Sequence, residues 1–280
     1  MEVLKQIKED IQCYGKKGDN SLEYIGITVN NTRVKEYKCY RFKTKTSKIE
    51  KNLFSTYDFL KKLDYQKNME TGISRMAYKV DFSNYDERSV DEILEKGLNE
   101  IIDDTGCSGF AVGEILQLNQ YIKETIKTQQ EPLCVIGGKV DKNEKIQELK
   151  TYYQLRIFSK EKRIKSSLAE KEAYFHIIDY LGEICDMKKR NIENLKEIFD
   201  ISMDNFFESM MIGIDFDLEI QKVKYYFVKN SKEKINYKNN KLTKEFIQKI
   251  ENYGLILKGF AVSFCNHNDE WNINFYFCEV

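Results

Sequence analysis

The feature that most constrains this chain is an alternation of polar and apolar residues that recurs along it. In the clearest copy, Lys222, Lys224, Tyr226 and Val228 alternate with Val223, Tyr225 and Phe227. Successive side chains of a β-strand point to opposite faces. The alternation therefore predicts a strand with one charged and phenolic face and one apolar face. It is typical of an antiparallel sheet packed on one side, and equally of a closed barrel with a polar interior and helices outside.

The same unit returns at several places in the sequence. Residues 25–42, 136–158 and 212–228 each begin with Ile-Gly, pass through a polar turn and continue into a strand with basic and tyrosine residues two apart. Residues 259–277 are a looser copy, and residues 73–82 contain only one convincing strand. A recurring unit predicts repeated supersecondary structure. Because the connections are too short for parallel crossovers, the strand pairs are predicted to be antiparallel.

Helical periodicity fills the intervals between these strand pairs. We predict helices over residues 3–14, 48–63, 113–129 and 242–253, and a mostly helical stretch over residues 160–210. A capping box, Ser89-Val90-Asp91-Glu92, predicts one more helix that runs to about Asp104. No low-complexity linker interrupts the pattern, so residues 1–280 are predicted to form a single domain.

Composition excludes several classes of function. Lys and Arg total 45 and so do Asp and Glu, and a net charge of zero disfavours nucleic-acid binding. The seven cysteines lack CxxC spacing and no signal peptide is recognised, so we expect reduced thiols in the cytoplasm. No apolar run approaches the ~20 residues that span a bilayer, which predicts no membrane partner. His176 and His267 are the only histidines, which leaves little for histidine-based catalysis.

The polar strand faces suggest a chemistry if about ten strands close into a barrel, whose interior would be wide enough for a ligand. That interior would hold Lys38, Tyr40, Lys79, Tyr152, Gln154, Arg156, Lys224, Tyr226, Asn274 and Tyr276. Because buried, unpaired positive charge is costly, the Lys and Arg residues indicate an anion such as a diphosphate. The tyrosine faces would stabilise a cation. The alternative is an ordinary open sheet whose lysines pair with carboxylates in solvent.

Glu23 stands apart from these residues. It precedes Ile25 and Ile27 in strand phase, so it shares a face with two apolar side chains. A carboxylate in this position is either a strand-end residue in water or a placed acid or base.

Several stretches together resemble the ABBA prenyltransferases. They are Ser21-Leu22-Glu23, residues 76–82, Ile136-Gly137-Gly138 with Leu155-Arg156-Ile157, residues 212–216 with 223–228, and residues 272–277. The chain is most similar to the cyanobactin-type peptide prenyltransferases, and it departs from them at Tyr152 and Gln154, where the family has a lysine and a histidine. The resemblance implies an α+β fold, a closed ABBA (PT) barrel of about ten antiparallel strands surrounded by α-helices.

The resemblance also implies a function. The chain would be a monomeric peptide prenyltransferase that moves a dimethylallyl (C5) group from dimethylallyl or geranyl diphosphate to a side chain of a linear or cyclic RiPP-type peptide. Mg2+ would accompany the diphosphate. Glu23 would engage the acceptor, and Lys38, Lys79, Arg156 and Lys224 would hold the diphosphate. Tyr40, Tyr152, Tyr226 and Tyr276 would shield the allyl cation, with Gln154 and Asn274 elsewhere in the interior.

Three other functions fit the same residues. The first is prenylation of a small aromatic molecule such as an indole or a phenol. The second is a non-catalytic barrel that binds a peptide or a lipid, because a fold does not by itself imply an activity. The third is an α+β interaction module.

Overall fold

A computed structural model describes residues 5, 22–30, 33–41, 60–67, 74–86, 89–105, 110–127, 131–140, 146–154, 168–184, 193, 197, 211–216, 220–228, 241–265 and 271–279. The strands are β1 (Leu22–Asn30), β2 (Arg33–Arg41), β3 (Leu60–Lys67), β4 (Ser74–Val80), β5 (Leu133–Val140), β6 (Ile146–Gln154), β7 (Met211–Phe216), β8 (Ile220–Val228), β9 (Leu255–Cys265) and β10 (Trp271–Glu279). The helices are α1 (Val90–Thr105), α2 (Phe110–Thr125), α3 (Leu168–Ile184) and α4 (Lys241–Glu251).

All neighbouring strands pair antiparallel, in the order β1-β10-β9-β8-β7-β6-β5-β4-β3-β2. Strand β1 pairs with both β10 and β2, so the order returns to its starting point and the sheet forms a barrel. The junctions are unequal. Strand β10 pairs with β9 from Trp271–Phe264 to Glu279–Leu255, whereas among the described residues β2 and β3 pair through Tyr40 with Gln66 and Arg41 with Tyr65.

Alternation along each strand separates an outer face from an inner face. On β1, Ile25 and Ile27 are fully buried in the apolar core, and the intervening Gly26 and Thr28 lie on the opposite face. Strand β7 divides in the same way, with Ile212 and Ile214 in the core. Burying one such side chain contributes about 1.5–3 kcal/mol. We call the face opposite this core the interior face.

The helices pack their apolar sides onto the outer face. On α1, Leu94, Leu98, Ile101 and Ile102 recur at helical spacing and are all buried. Helix α2 contributes Ile115, Leu118 and Ile122, α3 contributes Ile177, Ile178 and Leu181, and α4 contributes Ile247 and Ile250. A stripe with this spacing is what a helix against a core requires.

A polar clasp fixes the passage from α2 into β5. The side chain of Asn119 accepts a hydrogen bond from the Leu133 backbone N–H (3.0 Å) and donates one to Glu131 Oε2 (2.7 Å). Glu131 also forms an ion pair with Lys123. Because buried polar groups need partners, the clasp sets where β5 begins relative to the helix.

The predicted antiparallel strand pairs with helices outside them are confirmed. Helix α1 ends at Thr105, close to the predicted Asp104, and α2 begins three residues earlier than predicted. The prediction of helix over residues 48–63 is wrong for its last four residues, which begin β3. Residues 48–59, residues 3–14 apart from Lys5, and most of 185–210 lie outside the described residues.

The error at β3 has a physical cause. Leu60 and Leu63 are three residues apart, which fits a helix turn, but the segment forms an antiparallel ladder with β4 from Leu60–Val80 to Lys67–Ser74. A bulge between Lys62 and Asp64 shifts the register and breaks the strand alternation. Residues 60–67 and 74–80 therefore form a complete hairpin where the sequence showed one strand. No helix within the described residues is long and apolar enough to cross a membrane.

Candidate active site

Three tyrosines form one continuous surface on the interior face. Tyr152 of β6 contacts Tyr226 of β8, with ring centroids 5.8 Å apart, and Tyr226 stacks against Tyr276 of β10 at 6.2 Å. All three side chains are half-buried. Contacting aromatic rings stabilise each other by about 0.5–1.5 kcal/mol beyond the area they bury. We call Tyr152, Tyr226 and Tyr276 the tyrosine wall.

Lys224 lies against the tyrosine wall. Its Nζ is 5.1 Å from the centroid of the Tyr226 ring and 5.5 Å from that of Tyr276. A cation within about 6 Å of an aromatic face is attracted by the ring quadrupole. Two faces of the wall therefore already contact a positive charge in the protein alone.

Gly213 makes the close approach of these rings possible. It lies on β7 between Tyr152 and Lys224, with which it is paired across the sheet. A Cβ at this position would lie 2.9 Å from Tyr226 Cε2 and 3.1 Å from Tyr152 Cδ1. Since real Cβ atoms do not approach so closely, any other residue here would displace at least one ring.

A charged row follows the tyrosine wall on the same face. Lys150 Nζ lies 2.7 Å from Glu148 Oε1 and 2.5 Å from Asp215 Oδ1. The row continues at longer range, with Lys139 3.8 Å from Glu148 and Lys222 3.9 Å from Asp215. Lys150 is only 5% exposed, and a buried ammonium group is tolerated only when carboxylates or other acceptors surround it. The row contains three lysines and two carboxylates, so its formal charge is positive.

The charged row and the tyrosine wall are adjacent because strand residues two apart share a face. Lys150 precedes Tyr152 on β6, and Lys222, Lys224 and Tyr226 follow one another on the interior face of β8. The interior therefore offers positive charge beside aromatic faces. This arrangement suits a ligand with an anionic head and a part that becomes cationic.

A third part of the interior is neutral and polar. Thr28 of β1, Ser263 of β9 and the two asparagines of β10, Asn272 and Asn274, are each more than nine-tenths buried. Thr28 Oγ1 donates a hydrogen bond to Asn274 Oδ1 (2.8 Å), and Ser263 Oγ donates one to the Asn272 carbonyl oxygen (3.4 Å). We call these four residues the amide wall.

The structure brings together part of the predicted set of site residues. Lys224, Tyr152, Tyr226 and Tyr276 are in contact, and Asn274 lies two residues from Tyr276 on the same strand face. Lys79 is exposed, although its backbone pairs with Val135, which in turn pairs with Tyr152. Gln154 ends β6, and its backbone N–H donates to the Pro132 carbonyl (2.7 Å).

Other predicted residues are described only in part or not at all. Lys38 and Tyr40 lie on β2, where the register pairs Lys38 with Gly26, which pairs on its other side with Tyr276. Glu23 lies on β1 at a bulge between Leu22 and Tyr24. The side chains of these three residues, and all of Arg156, lie outside the described part of the chain. Their assigned roles stay predictions.

Sequence reasoning left four interior residues out of its predicted site: Lys150, Lys222, Asp215 and Gly213. Lys150 is in phase with Tyr152, and Lys222 is in phase with Lys224, so the alternation contained a signal for both lysines. Nothing in the sequence indicates that Asp215 bridges them, because that contact depends on the register between β6, β7 and β8.

Two titratable groups near the site are structural. Burial raises the pKa of Cys134 to about 12, and its Sγ donates a hydrogen bond to the Tyr152 carbonyl (3.2 Å). Burial likewise raises the pKa of Tyr153, whose hydroxyl donates to the Ile115 carbonyl (3.4 Å) on α2. Since a catalytic thiol needs a lowered pKa, Cys134 is unsuited to act as a nucleophile. Among the described cysteines, Cys134, Cys265 and Cys278 form no disulfide.

Comparison with known proteins identifies no family by sequence. No family model matches the chain, and no curated protein matches it. One solved structure that the chain resembles is 5-dimethylallyl tryptophan synthase from Streptomyces coelicolor, in complex with DMASPP and Trp. The match covers 90% of this chain and 77% of that one, at 7% sequence identity and a TM-score of 0.42. At these values the likeness assigns no function, which has to be argued from the site.

Proposed function

We propose that this chain is a prenyltransferase of the ABBA barrel type, which transfers a dimethylallyl group from an allylic diphosphate to a side chain of a peptide. The observation that carries the proposal is the contact of Lys224 with the faces of Tyr226 and Tyr276. It unites a cation that attracts phosphate with ring faces that stabilise a carbocation. The resemblance of the strand repeats to that family supports the same assignment.

The diphosphate binds beside Lys224 in this proposal. Lys222 precedes Lys224 on the same face of β8. The buried Lys150 lies two strands away on β6, and Asp215 of β7 contacts both Lys150 and Lys222. A diphosphate carries several negative charges and requires more than one cation. The positive charged row therefore extends the anion site away from the tyrosine wall, and the prenyl chain lies against the rings.

Transfer then breaks the bond between the allylic carbon and the diphosphate oxygen, and the electron pair leaves with the diphosphate. The tyrosine faces stabilise the positive charge that develops on the allyl group, because the tyrosine wall lies beside the proposed diphosphate site. A nucleophilic side chain of the acceptor forms the new bond to the prenyl carbon and loses a proton. Glu23 is the proposed acceptor of that proton.

The described carboxylates do not form a site for Mg2+. No group of three His, Cys, Asp or Glu residues within the described ranges is arranged to hold a metal ion. Glu148 and Asp215, the two carboxylates of the charged row, both contact Lys150. No step of the proposed reaction is therefore routed through a metal ion, and the role of Mg2+ stays a prediction from the resemblance.

The acceptor is proposed to be a peptide, linear or cyclic, of the RiPP type. The resemblance to cyanobactin-type enzymes supports this choice. We also propose that the protein is monomeric and, from its scattered cysteines, that it is cytoplasmic. Prenylation of a free indole or phenol is the alternative that the experiment has to separate. Geranyl diphosphate is included beside dimethylallyl diphosphate, because the donor length is also a prediction.

The test combines binding and turnover. Purified protein is titrated with dimethylallyl diphosphate by calorimetry, then incubated with donor and with tyrosine- or tryptophan-containing peptides, and products are read by mass spectrometry. We expect one added prenyl unit on a peptide, and donor affinity at least about tenfold weaker in Lys224→Met, because a charge-assisted contact is lost. Lys249→Met, an exposed lysine on α4, is the matched control and should bind the donor normally.

Two results would contradict the proposal. One is the absence of both donor binding and product with every acceptor. The other is equal donor affinity in wild type and Lys224→Met, which would remove Lys224 from the anion site. Transfer to free indole or phenol but to no peptide would keep the reaction and replace the acceptor class.

A further inference from the structure

We infer that the amide wall binds amide groups of the acceptor, through the side chains of Asn272 and Asn274. This inference rests on the proposed function, because it names the chemistry by which the same interior recognises a peptide. It concerns recognition of the acceptor alone. In the proposed function the diphosphate of the donor binds to Lys224 and the charged row.

The carboxamide of Asn274 is held in a fixed orientation. Its Oδ1 accepts the hydrogen bond of Thr28 Oγ1 at 2.8 Å, so its Nδ2 and the two N–H donors point away from Thr28. Only 8% of Asn274 is exposed, so the donors lie inside the barrel and beside Tyr276. Each of these donors pairs with an acceptor oxygen, which a peptide C=O would supply in the complex.

Within the described part of the chain, Asn272 lacks a hydrogen-bond donor for its side-chain oxygen. Its Oδ1 is buried and has no hydrogen-bond partner among the described residues. A buried polar atom without a partner is costly, and in a native structure it calls for a water or a ligand group. Asn272 therefore needs a hydrogen-bond donor, and the N–H groups of Asn274 can serve an acceptor. A peptide group has both, an N–H and a C=O.

The spacing of the two asparagines agrees with an extended peptide. They lie two residues apart on the interior face of β10, and residues two apart in a strand are separated by roughly 6.5–7 Å. Peptide groups that point the same way in an extended ligand repeat at the same distance. A ligand strand lying along β10 would place one peptide group at each asparagine.

The amide wall itself is uncharged, since it consists of Thr28, Ser263, Asn272 and Asn274. Lys224 borders it, because the backbone of Lys224 pairs with Ser263, which pairs in turn with Asn272. Hydrogen bonds to amide groups are therefore the contacts that the wall itself supplies, and the neighbouring positive charge belongs to the donor site.

The experiment compares aromatic probes with and without amide groups. Binding of N-acetyl-tyrosine amide is measured against 4-methylphenol, and N-acetyl-tryptophan amide against 3-methylindole, by calorimetry without donor. We expect the wild type to bind each amide-bearing probe at least about tenfold tighter than its partner, since two hydrogen bonds are gained. In Asn272→Leu and Asn274→Leu the ratio should fall below about threefold.

Matched variants keep the test decisive. Asn252→Leu replaces an exposed asparagine after α4 and should preserve the tenfold ratio. Asn274→Asp retains the size of the side chain but removes its N–H donors, so it decides the question if the leucine variants do not fold. Thr28→Val releases the Asn274 carboxamide, and we expect a partial loss of the ratio.

An equal ratio in wild type, Asn272→Leu and Asn274→Leu would overturn the inference, and so would a wild-type ratio near one. The donor titration separates this failure from failure of the proposed function. If dimethylallyl diphosphate binds and is turned over while the amide ratio is one, only the inference is lost. If the donor does not bind but the ratio depends on both asparagines, the proposed reaction fails and the amide wall stands.

Discussion

Neighbouring tyrosines on the same strands have opposite surroundings in this barrel. Tyr153 and Tyr225 lie on the outer face and are fully buried, whereas Tyr152 and Tyr226, one position away, are half-buried on the interior face. Tyr225 meets Phe264 edge-on at 6.2 Å, and Tyr226 meets Tyr152, Tyr276 and Lys224. Strand parity, rather than residue type, therefore decides which tyrosines are buried in the core and which lie on the interior face.

The largest expected effect comes from the outer face. Phe264 is 1% exposed and packs against Tyr225. We expect Phe264→Ala to lower the free energy of unfolding by about 3–5 kcal/mol, measured by denaturant titration, because the helices cannot close the cavity. Phe264→Leu should cost much less. The rate of prenyl transfer per folded molecule should be unchanged, and a large loss of that rate would show that the outer face also shapes the site.

The next comparison sets one glycine of the interior against one on a helix. A Cβ at Gly213 would collide with both rings of the tyrosine wall, whereas a Cβ at Gly113 on α2 meets nothing within 4 Å. We expect Gly213→Ala to destabilise the fold by about 1–3 kcal/mol and Gly113→Ala to stabilise it by about 0.5–1 kcal/mol. Thermal unfolding measures both. Equal effects of the two substitutions would mean that the rings yield without strain.

Adjacent tyrosines then provide a test of the two faces within one strand. We expect Tyr226→Leu to lower kcat about ten- to thirtyfold, roughly 1.4–2 kcal/mol, because a face that stabilises the allyl cation is lost. Tyr226→Phe keeps the ring and should stay near wild type. Tyr225→Leu should reduce stability and leave kcat in place. A loss of kcat in Tyr225→Leu together with a loss of stability alone in Tyr226→Leu would show that the two faces are assigned the wrong way round.

The smallest expected effect is a dependence of stability on pH. Burial raises the pKa of Cys134 to about 12, against about 8.5 in an unfolded chain. Between these values the unfolded chain loses the thiol proton and the folded one keeps it, so stability is fully present below about pH 8.5 and falls as pH rises toward 12. From pH 8 to pH 10 we expect a loss of about 1–2 kcal/mol that Cys134→Ala lacks. Tyr153, also raised by burial, adds a loss of the same sign in both proteins. If the free energy of unfolding falls equally with pH in wild type and in Cys134→Ala, Cys134 is not the source of the loss.

The alternation of polar and apolar residues predicted more of this structure than any sequence motif did. It identified the interior faces of β6, β8 and β10, and with them Tyr152, Tyr226, Tyr276 and Lys224. The charged row could not be predicted, since its contacts join β5, β6, β7 and β8 through registers that no local pattern specifies. The orphaned oxygen of Asn272 likewise depends on packing that only the folded chain creates.

The failure at β3 has a similar origin. A bulge at Lys62–Asp64 disturbs the alternation, and the leucine spacing resembles a helix turn, so local preference indicated the wrong element. Pairing with β4 decides the conformation instead. A bulge alone does not hide a strand, since β1 and β2 also contain register shifts and were predicted. At β3 the bulge coincides with leucine spacing that fits a helix, and the two together concealed the strand.

The junction between β2 and β3 has a mechanical consequence. Among the described residues two pairs join these strands, Tyr40 with Gln66 and Arg41 with Tyr65, whereas nine pairs join β9 to β10. Separating two strands breaks the hydrogen bonds of their ladder, so along the described residues it costs less between β2 and β3 than between β9 and β10. The long ladder fixes Asn272, Asn274 and Tyr276 relative to β9.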